Sequence, residues 1–528
     1  MRKNVKGIMK LSVITAVLFA MVLMAIPASA DDFRNPIEAV YESYGEMGYA
    51  RGSLTVKVDA WVNTDGCPME AVVYWANVNG ALEGYSPLAR FMLSTRSTTF
   101  EFPELQIIPK EADRLRVYTA RKGDDTLSSV YVDAMLPEGY GYNLEDTPIM
   151  SFVVVSDTHL RVSDDALANQ RFTDMLEDVN KDFSNVSGIF INGDNINASG
   201  MGGSDTQTSA NQFAKLEEYR DLYPDIPIFM GIGNHDLWPN GKQDEALQMF
   251  LQIARLPDGS HPTSLNYDFY LDGYHFVFVG DDDRDPNYAT LNNQTLKWLD
   301  DTIKEGYEED TPTFIYLHQA LSNTVAGSLT NYGQAWDGVV NVVEVRNVLR
   351  KYPRAVLFSG HSHYSMDSVQ NAFSGGSTFP TTFNTSSLSD VYLAGDEAQG
   401  YIVEVYEKAV LVRGRDFAAD EWKASAQYAI DYGAELAPAP EIPANKDTDT
   451  PANDPNAGGN VNEENNGNSG NSGNANTNTD ATNGATDGSD ATDEIKPGGC
   501  GAAVSVSALA MVLLPATFCL VRKKKEDQ

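Results

Sequence analysis

The 528-residue chain exceeds what one ordinary hydrophobic core organises, so two or more domains are expected. A formal net charge of −36 leaves no basic surface to neutralise phosphate backbones, which argues against a nucleic-acid partner. The only cysteines are Cys67, Cys500 and Cys519, which argues against a disulfide framework and against a thiolate metal site.

In chain order, Arg2, Lys3, Lys6 and Lys10 precede an apolar run over 11–26, then Pro27 and the small triplet Ala28-Ser29-Ala30. This pattern predicts a secretory signal over 1–30 with cleavage after Ala30, an uncleaved anchor being the alternative. Residues 31–146 hold short alternating or β-rich runs, "SLTVKVDAWV", "EAVVYWANV", "STTFEFPEL" and "RLRVYTAR", separated by turn residues such as "NTDG". They predict an antiparallel β-sandwich of immunoglobulin or fibronectin type, with Trp61, Tyr74 and Trp75 in its core.

From 148 the rhythm changes to apolar strands alternating with helical stretches: "MSFVVVSD", "DALANQRFTDMLEDVNKD", "SGIFINGD", "QFAKLEEYRDLYP", "IPIFMGIGN", "PTFIYLH" and "AVLFSGH". Such alternation indicates an α/β domain with helices on both faces of buried strands. The strands run out into Asp157 and His159, Asp194, Asn234 and His235, His318, and finally His361 and His363. In open α/β sheets the reactive crevice lies beyond the carboxyl ends of the strands, so these side chains are expected to converge. The chain has seven histidines, and all but His261 and His275 fall at these strand ends. Residues one apart in extended chain face the same way, which lets His361 and His363 enter one crevice together. Carboxylate, carboxamide and imidazole without sulfur suit Zn, Mn, Fe or Co. Even with one of these eight set aside, seven such ligands exceed the needs of one ion and suit two ions sharing a carboxylate.

"DTH", "GD", "GNHD", a later single histidine and "GHSH", spread over 148–415, resemble the ordered signature of calcineurin-like metallophosphoesterases. The resemblance implies a four-layer αββα fold around two divalent or trivalent ions. It implies that Asp157, His159 and His363 hold one ion, that Asn234, His318 and His361 hold the other, and that Asp194 bridges them. His235 would stand as a non-ligand catalytic histidine beside the scissile phosphate, oriented by Asp236. The implied activity is hydrolysis of phosphomonoesters or phosphodiesters, nucleotides or lipid head groups included, by water activated between the ions. Purple acid phosphatases carry a tyrosine three residues after the bridging aspartate, whereas here Asn197 stands there, which disfavours a tyrosinate-bound ferric ion. A nucleotidase with a large domain after the catalytic one is disfavoured too. Around the site, 197–209 is glycine-rich and is expected to be a mobile lid, Tyr332 and Trp336 offer stacking surfaces, and "DDDRD" at 281–285 is expected to be a solvated turn. A rival class, a surface adhesion or ligand-binding protein on a retired phosphoesterase scaffold, suits the β-sandwich but gives no reason for an intact ligand set.

Past the closing strands of "GYIVEVYEKAVLVRGRDF", 416–437 is expected to be a C-terminal extension and 438–498 a disordered stalk of Asn, Gly, Ser, Thr, Asp and Ala. The apolar run 501–521 is long enough for a transmembrane helix, and Arg522, Lys523, Lys524 and Lys525 in the tail 522–528 would stay cytoplasmic. The expected result is an exported protein anchored in the cell membrane with its catalytic domain outside. Within the run, 514–517 is similar to a sortase signal, but Phe518 replaces the required glycine. Cys500 in "GGCG" is the alternative processing or lipidation site.

Overall fold

The structure, a computed structural model, describes residues 34–432 apart from 44–47, 64, 140, 143–146, 199–202, 204, 240, 308–310, 335–337 and 393. The expected signal segment, stalk, apolar span and basic tail lie outside the described residues, as do Trp336 and most of the 197–209 loop's glycine-rich part. Among the described residues, no helix is long and apolar enough to cross a membrane.

The N-terminal unit comprises β1 (Pro36–Ser43), β2 (Gly52–Val58), β3 (Met69–Asn77), β4 (Gly80–Ala81), β5 (Ala89–Met92), β6 (Ser97–Glu101), β7 (Arg114–Arg121) and β8 (Val132–Met135). One sheet has the order β1-β2-β6; in the other, β3 pairs with β4, β5 and β7, and β7 with β8. Alternation along the strands sends Leu54 and Val56 of β2, Val73 and Trp75 of β3 and Leu115 and Val117 of β7 into one shared apolar cluster. Trp75 is core, but Trp61 is 41 % exposed: β2 has ended at Val58, so Trp61 escapes the pleat and lies under the Arg96 guanidinium. Tyr74 points to the opposite side of β3 from Trp75 and packs edge-on against Tyr118.

The α/β unit continues with β9 (Met150–Val155), α1 (Leu167–Asp182), β10 (Ile189–Asn192), α2 (Thr206–Leu222), β11 (Ile228–Gly231), α3 (Gln243–Ile253), β12 (Tyr267–Leu271), β13 (Tyr274–Val279), α4 (Asn293–Gly306), β14 (Thr313–Leu317), α5 (Val342–Leu349), β15 (Val356–Ser359), β16 (Ala372–Phe373), β17 (Thr381–Asn384), β18 (Gln399–Val405), β19 (Ala409–Asp416) and β20 (Glu421–Asp431). The strands form two six-stranded sheets, β11-β10-β9-β18-β19-β20 and β12-β13-β14-β15-β17-β16. Runs such as 152–155 and 189–191 have no polar face, so they occupy positions buried from both sides, where β9, β10 and β11 run parallel.

Aromatic rings join the sheets: Phe152 meets Phe314 at 4.9 Å between centroids and Phe190 meets Phe276 at 4.4 Å. Helices α1 and α2 add Phe172, Leu176, Phe213 and Leu216 to the first sheet's cluster. Leu299, Ile303, Val345 and Leu349 of α4 and α5 pack on Val277, Ile315 and Leu357 of the second sheet. Burying each such side chain is worth about 1.5–3 kcal/mol, against about 1 kcal/mol for a helix cap. Packing therefore outweighs capping, and α1 holds without any side-chain cap, whereas Asp205 caps α2 and Asn292 caps α4.

The expected boundary at 415 is wrong. Strand β20, inside the expected extension 416–437, pairs with β19 from Asp416↔Glu421 to Ala409↔Asp431 and completes the first sheet. Its inward residues include Ala424, Ala426 and Ala429, too small to stand out as an apolar run. Its free edge is covered by the N-terminal unit: Ile107 N donates to Gln427 O at 2.9 Å, Ala429 N to Leu105 O at 3.1 Å, and Trp422 N to Gly84 O at 2.8 Å. Because Val405 lies opposite Met150 and Asp431 opposite Ala409, the chain enters and leaves this unit at the strand ends remote from the carboxyl termini of β9, β10 and β11.

Candidate metal centre

The polar residues follow the carboxyl ends of parallel strands directly: Asp157 and His159 after β9, Asp194 after β10, Asn234 and His235 after β11, His318 after β14, and His361 and His363 after β15. The turns there are tight. Asp157, His159, Asp194, His361 and His363 all take left-handed backbone, with φ of 53°, 43°, 51°, 66° and 56°. A non-glycine residue in that region costs about 1–3 kcal/mol, so the surroundings must hold it. They do so by cross-loop bonds: Asp157 N donates to Gly193 O at 3.1 Å, His159 N to Asp194 O at 3.0 Å, and His361 N to Asp157 Oδ2 at 3.0 Å. Gly360 is required by closeness, since a Cβ there would stand 2.6 Å from Asp157 Oδ2.

The turns bring the side chains together. His363 Nε2 lies 3.1 Å and His159 Nε2 3.8 Å from Asp157 Oδ1. His318 Nε2 lies 3.2 Å from Asp194 Oδ2, and both His159 Nε2 and His235 Nε2 lie 3.8 Å from that same oxygen. His361 joins through Nδ1, 3.0 Å from Asn234 Oδ1. At this site three sets have ligand atoms mutually within 4.8 Å: Asp157, His159 and His363; Asp194, His318 and His361; and His159, Asp194 and His235. His235 is thus as close to the shared carboxylate as His159 is.

Several atoms here lack a hydrogen-bond partner. Asp157 Oδ1, His318 Nε2 and His361 Nε2 are buried without a hydrogen-bond partner. His159 Nε2 and His363 Nε2 face each other at 3.1 Å, where at most one can donate. Buried ligand atoms that converge unpartnered in this way are what cations satisfy, and the oxygen and imidazole donors fit borderline transition ions.

The electrostatics of the side chains by themselves agree. Burial favours neutral carboxyls, but the facing His363 and His318 prevail and bring Asp157 down to about 2. Asp194 is likewise buried, and His318 and His235 hold it well below the usual carboxylate range. Burial pushes His159 and His361 down to about 3, so both present neutral lone pairs at pH 7. His318 is also buried, yet Asp194 and Asp157 raise it to about 10, so a cation bound there displaces its proton.

A second ring of contacts orients the imidazoles. His318 Nδ1 is 2.7 Å from Asn192 O, His363 Nδ1 is 2.8 Å from Asp390 O, and His235 Nδ1 is 3.3 Å from Asn197 O, which turns each Nε2 inward. The expected orientation of His235 by Asp236 is not what is found. The Asp236 carboxylate is fully buried and accepts from Gly233 N at 2.8 Å, Asn195 N at 3.1 Å and Asn195 Nδ2 at 2.8 Å. It ties the β10 and β11 turns together, while Trp238 stacks on the His235 ring at 3.3 Å between centroids. Burial and the Asp194 charge raise Asp236 to about 7.

The 281–285 stretch is not a solvated turn either. Asp281 is buried and accepts from Asp283 N, Asp285 N and Thr290 N at 3.1, 2.6 and 2.7 Å, curling the loop so that Pro286 O receives Asn234 Nδ2 at 2.8 Å and Trp238 Nε1 at 2.7 Å. That carbonyl fixes the Asn234 amide with its oxygen toward His361. No sequence signal marks Pro286, Asn192 or Asp390, since each acts through its backbone oxygen. Tyr332 lies 61 % exposed away from this cluster, in a separate groove beside Phe102 and Phe373. The cluster itself opens into a cavity of about 350 Å³.

The sequence model of the calcineurin-like phosphoesterase family matches residues 150–365. The chain carries a calcineurin-like metallophosphoesterase domain. Among solved structures, a dimetal phosphatase from Danio rerio is similar at 13 % identity, covering 54 % of this chain and 99 % of its own, with a TM-score of 0.38. The GAP50 anchor of the Plasmodium inner membrane complex is similar at 12 % identity over 55 % of this chain and 90 % of its own, TM-score 0.34. Vacuolar protein sorting 29 from Cryptosporidium parvum is similar at 10 % identity over 54 % and 100 %, TM-score 0.26. No curated protein matches the chain. This phosphoesterase domain brings together Asp157, His159, Asp194, Asn234, His235, His318, His361 and His363, and sets the Asp236 carboxylate behind them.

Proposed function

We propose that the protein hydrolyses phosphomonoesters or phosphodiesters at this cluster, with two transition-metal ions as cofactors, Mn, Zn, Fe or Co. The carrying observation is the convergence of buried, unpartnered ligand atoms of Asp157, His318 and His361 from three separate strand ends. Asp157, His159 and His363 would hold one ion, Asn234, His318 and His361 the other, and Asp194 would lie between them. When bound, the ions supply Lewis acidity and a nucleophilic water at neutral pH.

The side chains divide the remaining work. Asn197 O fixes the His235 tautomer and leaves Nε2 toward the cavity. Burial lowers the His235 pKa, whereas a phosphoester's negative charge beside the ring favours its protonated form. His235 Nε2 then donates that proton to the leaving oxygen. The Trp238 stack and the Pro286 carbonyl hold His235 and Asn234 in place during that transfer.

In the same reading the protein works outside the cell, exported by its N-terminal segment and held at the membrane by its C-terminal apolar run. The lysines and arginines flanking both runs support this. Purified protein supplied with Mn or Zn should release p-nitrophenol from p-nitrophenyl phosphate or its bis-ester and should lose that activity to a chelator. Turnover that persists in metal-free protein refutes the reading. The mature N-terminus should be Asp31.

A further inference from the structure

We propose that the cavity selects phosphoesters whose alcohol carries an ammonium group of choline or ethanolamine type, through Asp390 and Tyr392; the proposal rests on the phosphoesterase reading above. Among the described residues, the wall beyond the ligand-type residues consists of Trp238, Asn287, Ser362, Asp390 and Tyr392, with no lysine or arginine. A nucleoside polyphosphate brings extra negative charge that enzymes meet with such cations. Arg161, two residues beyond His159, lies outside the wall and donates to Asn197 Oδ1 at 3.0 Å, and Arg284, three residues before Asn287, pairs with Asp244.

The wall instead carries negative charge and aromatic surface. Asp390 is exposed, and its carboxylate makes no hydrogen bond or ion pair among the described residues. Next to it Tyr392 shows a 45 % exposed ring, backed by Tyr364 at 5.0 Å between centroids. A carboxylate beside a tyrosine face attracts an ammonium by charge and by cation–π contact.

The pair is also fixed relative to the cluster. His363 turns Nε2 to Asp157 and Nδ1 to Asp390 O, while Tyr392 N donates to His363 O at 2.7 Å. The rim therefore stands one imidazole away from the carboxylate that would hold an ion. Buried Arg171 braces the loop from behind, donating to Ser389 O and, at 3.0 Å, to Gly395 O. In a choline-type ester two carbons separate the ammonium from the ester oxygen, a short reach that suits this arrangement.

The test uses the full chain supplied with Mn or Zn and compares p-nitrophenyl phosphorylcholine with the isostere that lacks the ammonium charge, p-nitrophenyl 3,3-dimethylbutyl phosphate. The choline ester should have the higher kcat/KM by about tenfold or more. In Asp390→Asn and in Tyr392→Leu that ratio should fall toward one, a readout in which any general loss of activity cancels. Equal values in the wild type, an unchanged ratio in both variants, or a preference for p-nitrophenyl thymidine 5′-phosphate over the choline ester overturns the proposal. Turnover of p-nitrophenyl phosphate or its bis-ester with neither isostere cleaved also overturns it, with phosphoesterase activity intact. Silence toward all of these esters defeats the phosphoesterase reading itself.

Discussion

Asp194 stands between the histidines. Its Oδ2 faces His318, His159 and His235, and its Oδ1 accepts His235 N at 2.8 Å. Asp194→Asn keeps the shape and the Oδ1 acceptor but removes the charge, so the fold should survive while metal content and hydrolysis collapse. A fall of about a thousandfold or more matches the several kcal/mol that metal-centred charge stabilisation supplies. Elemental analysis beside a p-nitrophenyl phosphate assay checks it, and an active, fully metallated variant would refute the shared-carboxylate assignment. His235 poses a sharper question, because its Nε2 is as near to Asp194 as that of His159. If His235 is a proton donor, His235→Ala should lower kcat by about 10²–10⁴-fold and leave the metal content unchanged. A drop to one ion would make it a ligand. These residues were legible in the sequence because polar side chains closing apolar runs stand out. The role of Asp236 was not, since adjacency to His235 says nothing about which way a buried carboxylate turns.

The 281–290 loop shows how an element supports the site from outside it. Burial outweighs the three amides that Asp281 accepts and raises its carboxyl to about 6. Relative to an unfolded value of about 3.9, the folded protein then binds the extra proton between those limits. The stability contributed by that proton is fully present below the unfolded value and is lost as pH rises through about 6. Asp281→Asn should therefore flatten the pH dependence of urea unfolding across this window relative to wild type, and an unaltered slope would contradict the burial argument. The loop's sequence, "DDDRD", reads as solvent-loving because the amides that bury Asp281 include Thr290 N, from beyond the motif. The strands of the two large sheets posed no such difficulty where they were wholly apolar. Strand β20 did, as its alanines carry little hydrophobic signal.

For the molecule as a whole, the N-terminal unit does more than precede the catalytic one. Residues 105–107 and Gly84 pair with β20, which otherwise presents a bare sheet edge. A chain beginning at residue 148 should retain the metal ligands yet self-associate through that edge, seen as higher-mass species in light scattering. A monodisperse, fully active fragment would show that the contact is dispensable. The division into a β unit and an α/β unit was readable from the change in periodicity near 148. Their joint sheet edge was not, because pairing between segments as distant as Leu105 and Ala429 leaves no local trace.

The placement of Met150 and Asp431 at the far strand ends has a directional outcome. Both polypeptide connections depart from the hemisphere opposite the metal ligands, so any attachment made through residues 433–528 would act as a handle on the back of the enzyme. The mouth of the crevice is thereby left clear of both connections.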